Sequence, residues 1–199
     1  MRRILPSATI CALVLALAGC GQANDAVQST AQPVVAPAAA ATVARRAGMT
    51  DTDRAFIAAA TGDNAFLDAL GHMALEKSST DEMHALAQRM VEDHARMGGE
   101  LASFTEILGT GQAPPSMPAD QALQLRNHLA PLQGDAFRNA FVDVAIREHH
   151  LVVALFAGEA KNGHDKALRS FARRELPALR EHLAMVQAML AAGGSAPQG

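Results

Sequence analysis

The chain has 199 residues, with 17 basic and 20 acidic side chains and a formal net charge of −3. Hydrophobic residues make up 49% and aromatics only 4%, with no Trp and no Tyr, so the apolar vocabulary is Ala, Leu, Val and Met. That vocabulary favours helices over β-sandwiches; the charge balance lacks the basic footprint of a nucleic-acid-binding protein, and two cysteines cannot build a disulfide scaffold.

Arg2 and Arg3 precede an apolar run from Ile10 to Ala18. The run is too short for a permanent membrane span, so residues 1–19 read as a signal peptide. It ends in Leu17-Ala18-Gly19-Cys20, which resembles the bacterial lipobox. The resemblance implies cleavage before Cys20, lipid (palmitate among the acyl groups) on that cysteine, and a membrane attachment made by lipid alone. An ordinary signal peptide with an incidental Cys is the alternative. Cys11 leaves with the signal, so no free thiol is expected in the mature chain. In a Gram-negative cell, Gly21 in place of a retention Asp implies the outer membrane, facing the periplasm.

Residues 20–50 are rich in Gln, Ala, Val, Pro and Thr without a sustained period, which predicts a disordered linker. A helix through Ala38–Arg46 is the alternative, but it would have nothing to pack against. Residues 193–199 predict a frayed tail.

From residue 51 to 192 the pattern is helical. Asp51 or Thr52 is suited to cap a first long helix whose stripe carries Phe56, Ala60, Leu67, Leu70 and Ala74, with a bend expected at Gly62. Ser79 or Thr80 opens a second, striped by Met83, Leu86, Met90, His94, Met97, Leu101, Phe104 and Leu108 in steps of three and four. Gly109 stops it. A Pro-rich connector follows, with a short helix expected over Asp120–His128. Asp135 caps the third long helix, with Phe137, Phe141, Val144, Glu148, Leu151 and Leu155 on its stripe, and Asn162-Gly163 ends it. Asp165 caps the fourth, with Leu168, Phe171, Ala172, Leu179, His182, Val186 and Leu190, and Pro177 inside it should produce a kink.

Four amphipathic helices of this length predict an all-α fold, a four-helix bundle. The connector between the second and third is long enough to run the length of the bundle, as in ferritin-like folds. Simple up-down-up-down winding is the alternative.

Angle and depth along the helices bring four polar residues to one layer: His94, Glu148, His182 and Glu175. His149 falls at the edge of its stripe. Burying these groups singly is costly, so they should pair or hold a ligand. One expectation is a self-satisfied His–Glu network. The other is a site for a single Zn, Fe or Cu ion. No long helix carries the Glu-x-x-His of di-iron bundles. Asp81-x-x-His84 approaches that form, far from the layer. No phosphate loop or nucleophile elbow is present.

Met90-Val91-Glu92-Asp93-His94 is echoed by Ala145-Ile146-Arg147-Glu148-His149, and Glu181-His182 follows Leu176-Pro177-Ala178-Leu179. With the run Phe66–Lys77, these acidic-His pairs resemble the DUF4142 family. The resemblance implies a ferritin-like helical domain, secreted or lipid-anchored, of unknown function. Many members carry a Glu where this chain has Leu67, beside Asp68, so a four-carboxylate site is not implied here. Two functions stay open: a non-enzymatic binding or structural module of the envelope, with its protein partner undetermined, or a metal-binding or redox bundle.

Overall fold

The computed structural model describes residues 37–109 and 119–193. The signal peptide, Cys20, the first part of the linker and the tail 194–199 lie outside the described residues. Six helices and no strand are found among those described: α1 (Pro37–Gly48), α2 (Asp51–Lys77), α3 (Asp81–Leu108), α4 (Ala119–Leu129), α5 (Gly134–Asn162) and α6 (Lys166–Gly193). None is long and apolar enough to cross a membrane.

The ends of the helices follow local chemistry. Thr50, one residue before the expected caps, opens α2 through a reciprocal box: the Asp53 backbone N–H donates to Thr50 Oγ1 at 3.2 Å, and the Thr50 N–H donates to the Asp53 carboxylate at 2.8 Å. Thr80 accepts the Met83 N–H at 3.2 Å at the start of α3. Gly109, at φ 71°, closes α3 by donating to the Thr105 carbonyl. Asp165 caps α6 by accepting from the N–H groups of Ala167 and Leu168, both at 2.9 Å. α5 instead starts one residue early, after Gln133 and without a side-chain cap, so Asp135 lies in its first turn and does not cap it. α2 is continuous through Gly62, and α6 through Pro177.

The four long helices enclose a core of Phe, Leu, Met and Ala side chains. α2 packs on α3 and α5, and α6 packs on α5 and α3. Gly71 lets α2 approach α3 closely, because a Cβ there would stand 3.1–3.2 Å from Val91 and Met90. Neighbouring helices run antiparallel. Phe56, near the start of α2, stacks edge-on against Phe156, near the end of α5, at 5.1 Å. Phe104, near the end of α3, meets Phe171, near the start of α6, at 5.4 Å. At the opposite end, Lys77 donates to the carbonyls of Ala130 and Leu132, and Arg138 to that of Met189. The end of α3 and the start of α5 therefore lie at opposite ends, some 40 Å apart for helices of this length. The connector that contains α4 carries the chain from one end to the other.

The expected linker is shorter than the composition predicts. Residues 37–48 form α1, and Met49 enters the core at 3% exposure. Contrary to the expectation that a helix here would have nothing to pack against, α1 lies on α3 and is held by charge. Arg45 grips the Asp165 carboxylate with two hydrogen bonds of 3.1 and 3.0 Å and lies over the Phe104 ring at 5.1 Å. Arg46 donates to the Ile107 carbonyl at 2.6 Å.

Candidate functional site

Midway along the core the apolar packing gives way to a polar layer. Each long helix contributes one side chain: Asn64 from α2, His94 from α3, His149 from α5 and His182 from α6. The three imidazoles are fully buried, at 0% exposure, and Asn64 nearly so. Ring centroids lie 5.4 Å apart for His94–His182 and His149–His182, and 5.9 Å for His94–His149.

One nitrogen of each ring is held by an acceptor. The Asn64 amide donates its Nδ2 hydrogen to the His94 carbonyl at 3.0 Å, which turns Oδ1 toward His94 Nδ1 at 2.9 Å. The reversed amide would set two carbonyl oxygens face to face. An amide oxygen only accepts, so His94 Nδ1 carries the proton. Gly98 leaves room for this amide, since a Cβ there would meet Asn64 Nδ2 at 3.0 Å. His149 Nδ1 donates to the Ala145 carbonyl one turn back, at 2.8 Å. His182 Nε2 donates to the Asp93 carboxylate at 3.1 Å.

The remaining nitrogens are His94 Nε2, His149 Nε2 and His182 Nδ1. None has a hydrogen-bond partner. In neutral rings with these protons fixed, all three are lone pairs. One ring nitrogen from each residue lies within 4.8 Å of those of the other two. Burial favours the neutral form throughout. Burial holds His94 well below the usual imidazole range, aided by the nearby rings and Arg96. Burial takes His149 down to about 4, against the opposing pull of the Ala145 carbonyl. Burial lowers His182 too, with Asp93 working the other way.

The grouping differs from the expected four in two members. His94 and His182 meet as expected, and His149 joins them in place of Glu148. Glu148 is buried, but Arg147 Nε donates to it at 3.0 Å. Glu175, at 1% exposure, is gripped by Arg96 through hydrogen bonds of 2.9 and 2.8 Å. Neither carboxylate belongs to the converging group. Leu67 is fully buried among apolar neighbours, and Asp68 faces His72 at 3.8 Å on the same helix. The polar residue that α2 supplies is Asn64, one turn before Leu67. It was legible as the one amide in the stripe Phe56, Ala60, Asn64, Leu67.

The arrangement could hold a metal ion: three buried imidazoles, each oriented by an acceptor on one nitrogen and each with its other nitrogen unpartnered. Bonds of about 2.0–2.1 Å need nitrogens roughly 3.4 Å apart in tetrahedral geometry. From separations within 4.8 Å, the rings would close in by no more than about 1.4 Å.

The model of a domain of unknown function, DUF4142, matches residues 38–189, from α1 to near the end of α6. The chain belongs to the DUF4142 family. The three histidines of this DUF4142 domain are the second members of its three acidic-His pairs, Asp93-His94, Glu148-His149 and Glu181-His182. Its fold is similar to that of a DUF305 fragment from Deinococcus radiodurans, with a TM-score of 0.60 at 17% identity. The likeness covers 72% of this chain and 97% of that one, and concerns the fold alone. No curated protein matches the chain.

Proposed function

We propose that this protein is a ferritin-like four-helix bundle, extended by α1 and α4, that binds one late first-row transition ion on His94 Nε2, His149 Nε2 and His182 Nδ1. It acts as a non-enzymatic binding module of the cell envelope, attached by lipid on Cys20. The observation that carries the metal reading is the meeting of three buried imidazoles, one nitrogen of each within 4.8 Å of the others, in a layer where each ring keeps one nitrogen without a partner. A self-satisfied structural network would pair each acceptor with a donor, because an unmet buried polar atom costs about 1–3 kcal/mol. An ion satisfies all three at once.

The donor set selects the ion class. Imidazoles suit Zn, Cu, Ni and Fe, whereas Mg and Ca need oxygen ligands. With no carboxylate in the group, the two-metal carboxylate chemistry of di-iron bundles has no support here. Complete burial of the rings favours holding an ion over turning over a substrate. The envelope address is supported by the apolar run and Leu17-Ala18-Gly19-Cys20, and replacing Cys20 by Ser should release the protein from membranes.

The test uses the full chain carrying Cys20→Ser, stripped with a chelator and titrated with Zn2+, Ni2+ and Cu2+. One ion per chain is expected, with a rise in Tm that His149→Leu abolishes. An ion at 100 times its Kd contributes about 2.7 kcal/mol, several degrees for a chain of this size. No bound ion and no shift in Tm with any of the three metals would sink the reading.

A further inference from the structure

We infer that Asp93 is the positioning residue of this site: it reaches across the α3–α6 seam, holds the Nε2 hydrogen of His182, and so aims the Nδ1 lone pair of that ring at His94 and His149. The inference rests on the metal-binding reading for its consequence, though its geometry stands apart from any ion.

The other two rings are oriented by groups the fold itself fixes. His149 donates to a carbonyl of its own helix, and His94 to an amide locked by a backbone carbonyl. His182 depends on one side chain of another helix. Asp93 lies outside the apolar stripe of α3; it neighbours His94 in sequence yet serves the ring of α6, at 3.1 Å. Its carboxylate is fully engaged. Oδ2 accepts from His182 Nε2 and from Arg89 Nε at 3.1 Å, and Oδ1 faces Arg96 Nη2 at 3.4 Å.

Each arginine is tied in turn to α6. Arg89 reaches Glu181 at 3.2 Å, and Arg96 grips buried Glu175. The carboxylate is thus clamped from two sides by cations that are themselves anchored to the helix carrying His182. Charge-assisted, doubly held carboxylates keep their orientation. A carboxylate behind a ligating imidazole fixes both its proton and its angle, and raises its basicity. Glu92, the neighbouring carboxylate on α3, is exposed, accepts from Gln88 at 3.1 Å and lies outside this lattice, which makes it the control.

The experiment compares the full chain carrying Cys20→Ser with Asp93→Asn and Glu92→Gln added singly. Two readouts are taken: Zn2+ affinity by chelator competition, and the side-chain 15N spectrum of metal-free protein, which reports which nitrogen of His182 is protonated. The parent spectrum should show the proton on Nε2 alone, hydrogen-bonded and slow to exchange. Asp93→Asn should weaken Zn2+ binding about 10–100-fold and change the His182 signals, while Glu92→Gln leaves both as in the parent. Equal affinities for the two variants overturn the inference, as does a parent His182 protonated on Nδ1. If the parent takes up no Zn2+, the metal reading fails by itself and the spectra decide this one. If Asp93→Asn does not fold, the parent spectrum decides it.

Discussion

Asn64 and His94 grip each other twice: the amide donates to the His94 carbonyl at 3.0 Å and accepts from its ring Nδ1 at 2.9 Å. One side chain on α2 therefore fixes both the backbone and the imidazole of the residue facing it on α3. Asn64→Leu removes both bonds and strands a buried N–H. It should cost about 1–3 kcal/mol, seen as a Tm lower by several degrees, and weaken metal binding by freeing the His94 ring. An unchanged Tm and metal affinity would show that the pairing is incidental.

The three buried, unpartnered imidazole nitrogens make the metal-free site a weak point. Replacing His149 by Leu removes one unmet acceptor and its repulsion with the other two while filling similar space. Thermal melts at pH 8 should find the metal-free variant at least as stable as the metal-free parent. With saturating Zn2+ the order should reverse, because only the parent gains from binding. A variant that is several kcal/mol weaker in the absence of metal would mean that the metal-free layer is well satisfied.

The long helices were legible because their buried residues recur in steps of three and four, and because Thr80, Gly109, Asn162-Gly163 and Asp165 carry recognisable end chemistry. α1 was not. Its attachment comes from Arg45 and Arg46 reaching α6 and α3, and no hydrophobic period announces an ion pair. The site was half legible. His94 and His182 sit in narrow stripes, whereas α5 buries a wider face that takes in Val144 and Ala145, then Glu148 and His149, together. Angle alone could not tell that Arg147 and Arg96 neutralise Glu148 and Glu175 from the surface.

α1 gives a prediction of its own. The Arg45–Asp165 pair is two-pronged and partly buried, and Asp165 also caps α6. Arg45→Ala should cost about 1 kcal/mol, the upper range for such pairs, and expose α1 to proteolysis between 37 and 48. Limited proteolysis followed by mass spectrometry would read this. Equal cleavage in parent and variant would place the anchorage of α1 elsewhere.

The last prediction concerns the corner where α2 begins and α5 turns into α6. Asp53, fully buried, accepts the N–H groups of His164 and Asp165 at 2.8 and 3.1 Å. Burial pushes its carboxyl up, but these bonds and those from Thr50 outweigh it and keep Asp53 ionised. Glu159 shares the corner with one carboxylate oxygen buried and unpartnered. Burial raises its carboxyl from 4.5 to about 7, with the charges of Asp53 and Asp165 adding to the rise and Arg169 opposing it. The folded state thus holds this proton to higher pH than the unfolded chain does. Its contribution is fully present below about pH 4.5 and is lost as pH rises toward 7. The buried histidines act in the opposite sense, since their depressed values favour folding as pH rises through the ordinary imidazole range. The parent curve alone mixes the two effects. Glu159→Gln isolates the first, because glutamine mimics the protonated acid and keeps the histidines. The stability of Glu159→Gln relative to the parent should climb between pH 4.5 and 7, by at most about 1.4 kcal/mol per pH unit, and level off above. Denaturant melts at half-unit intervals give the difference curve. A flat curve would mean that Glu159 ionises in the folded corner as it does in water.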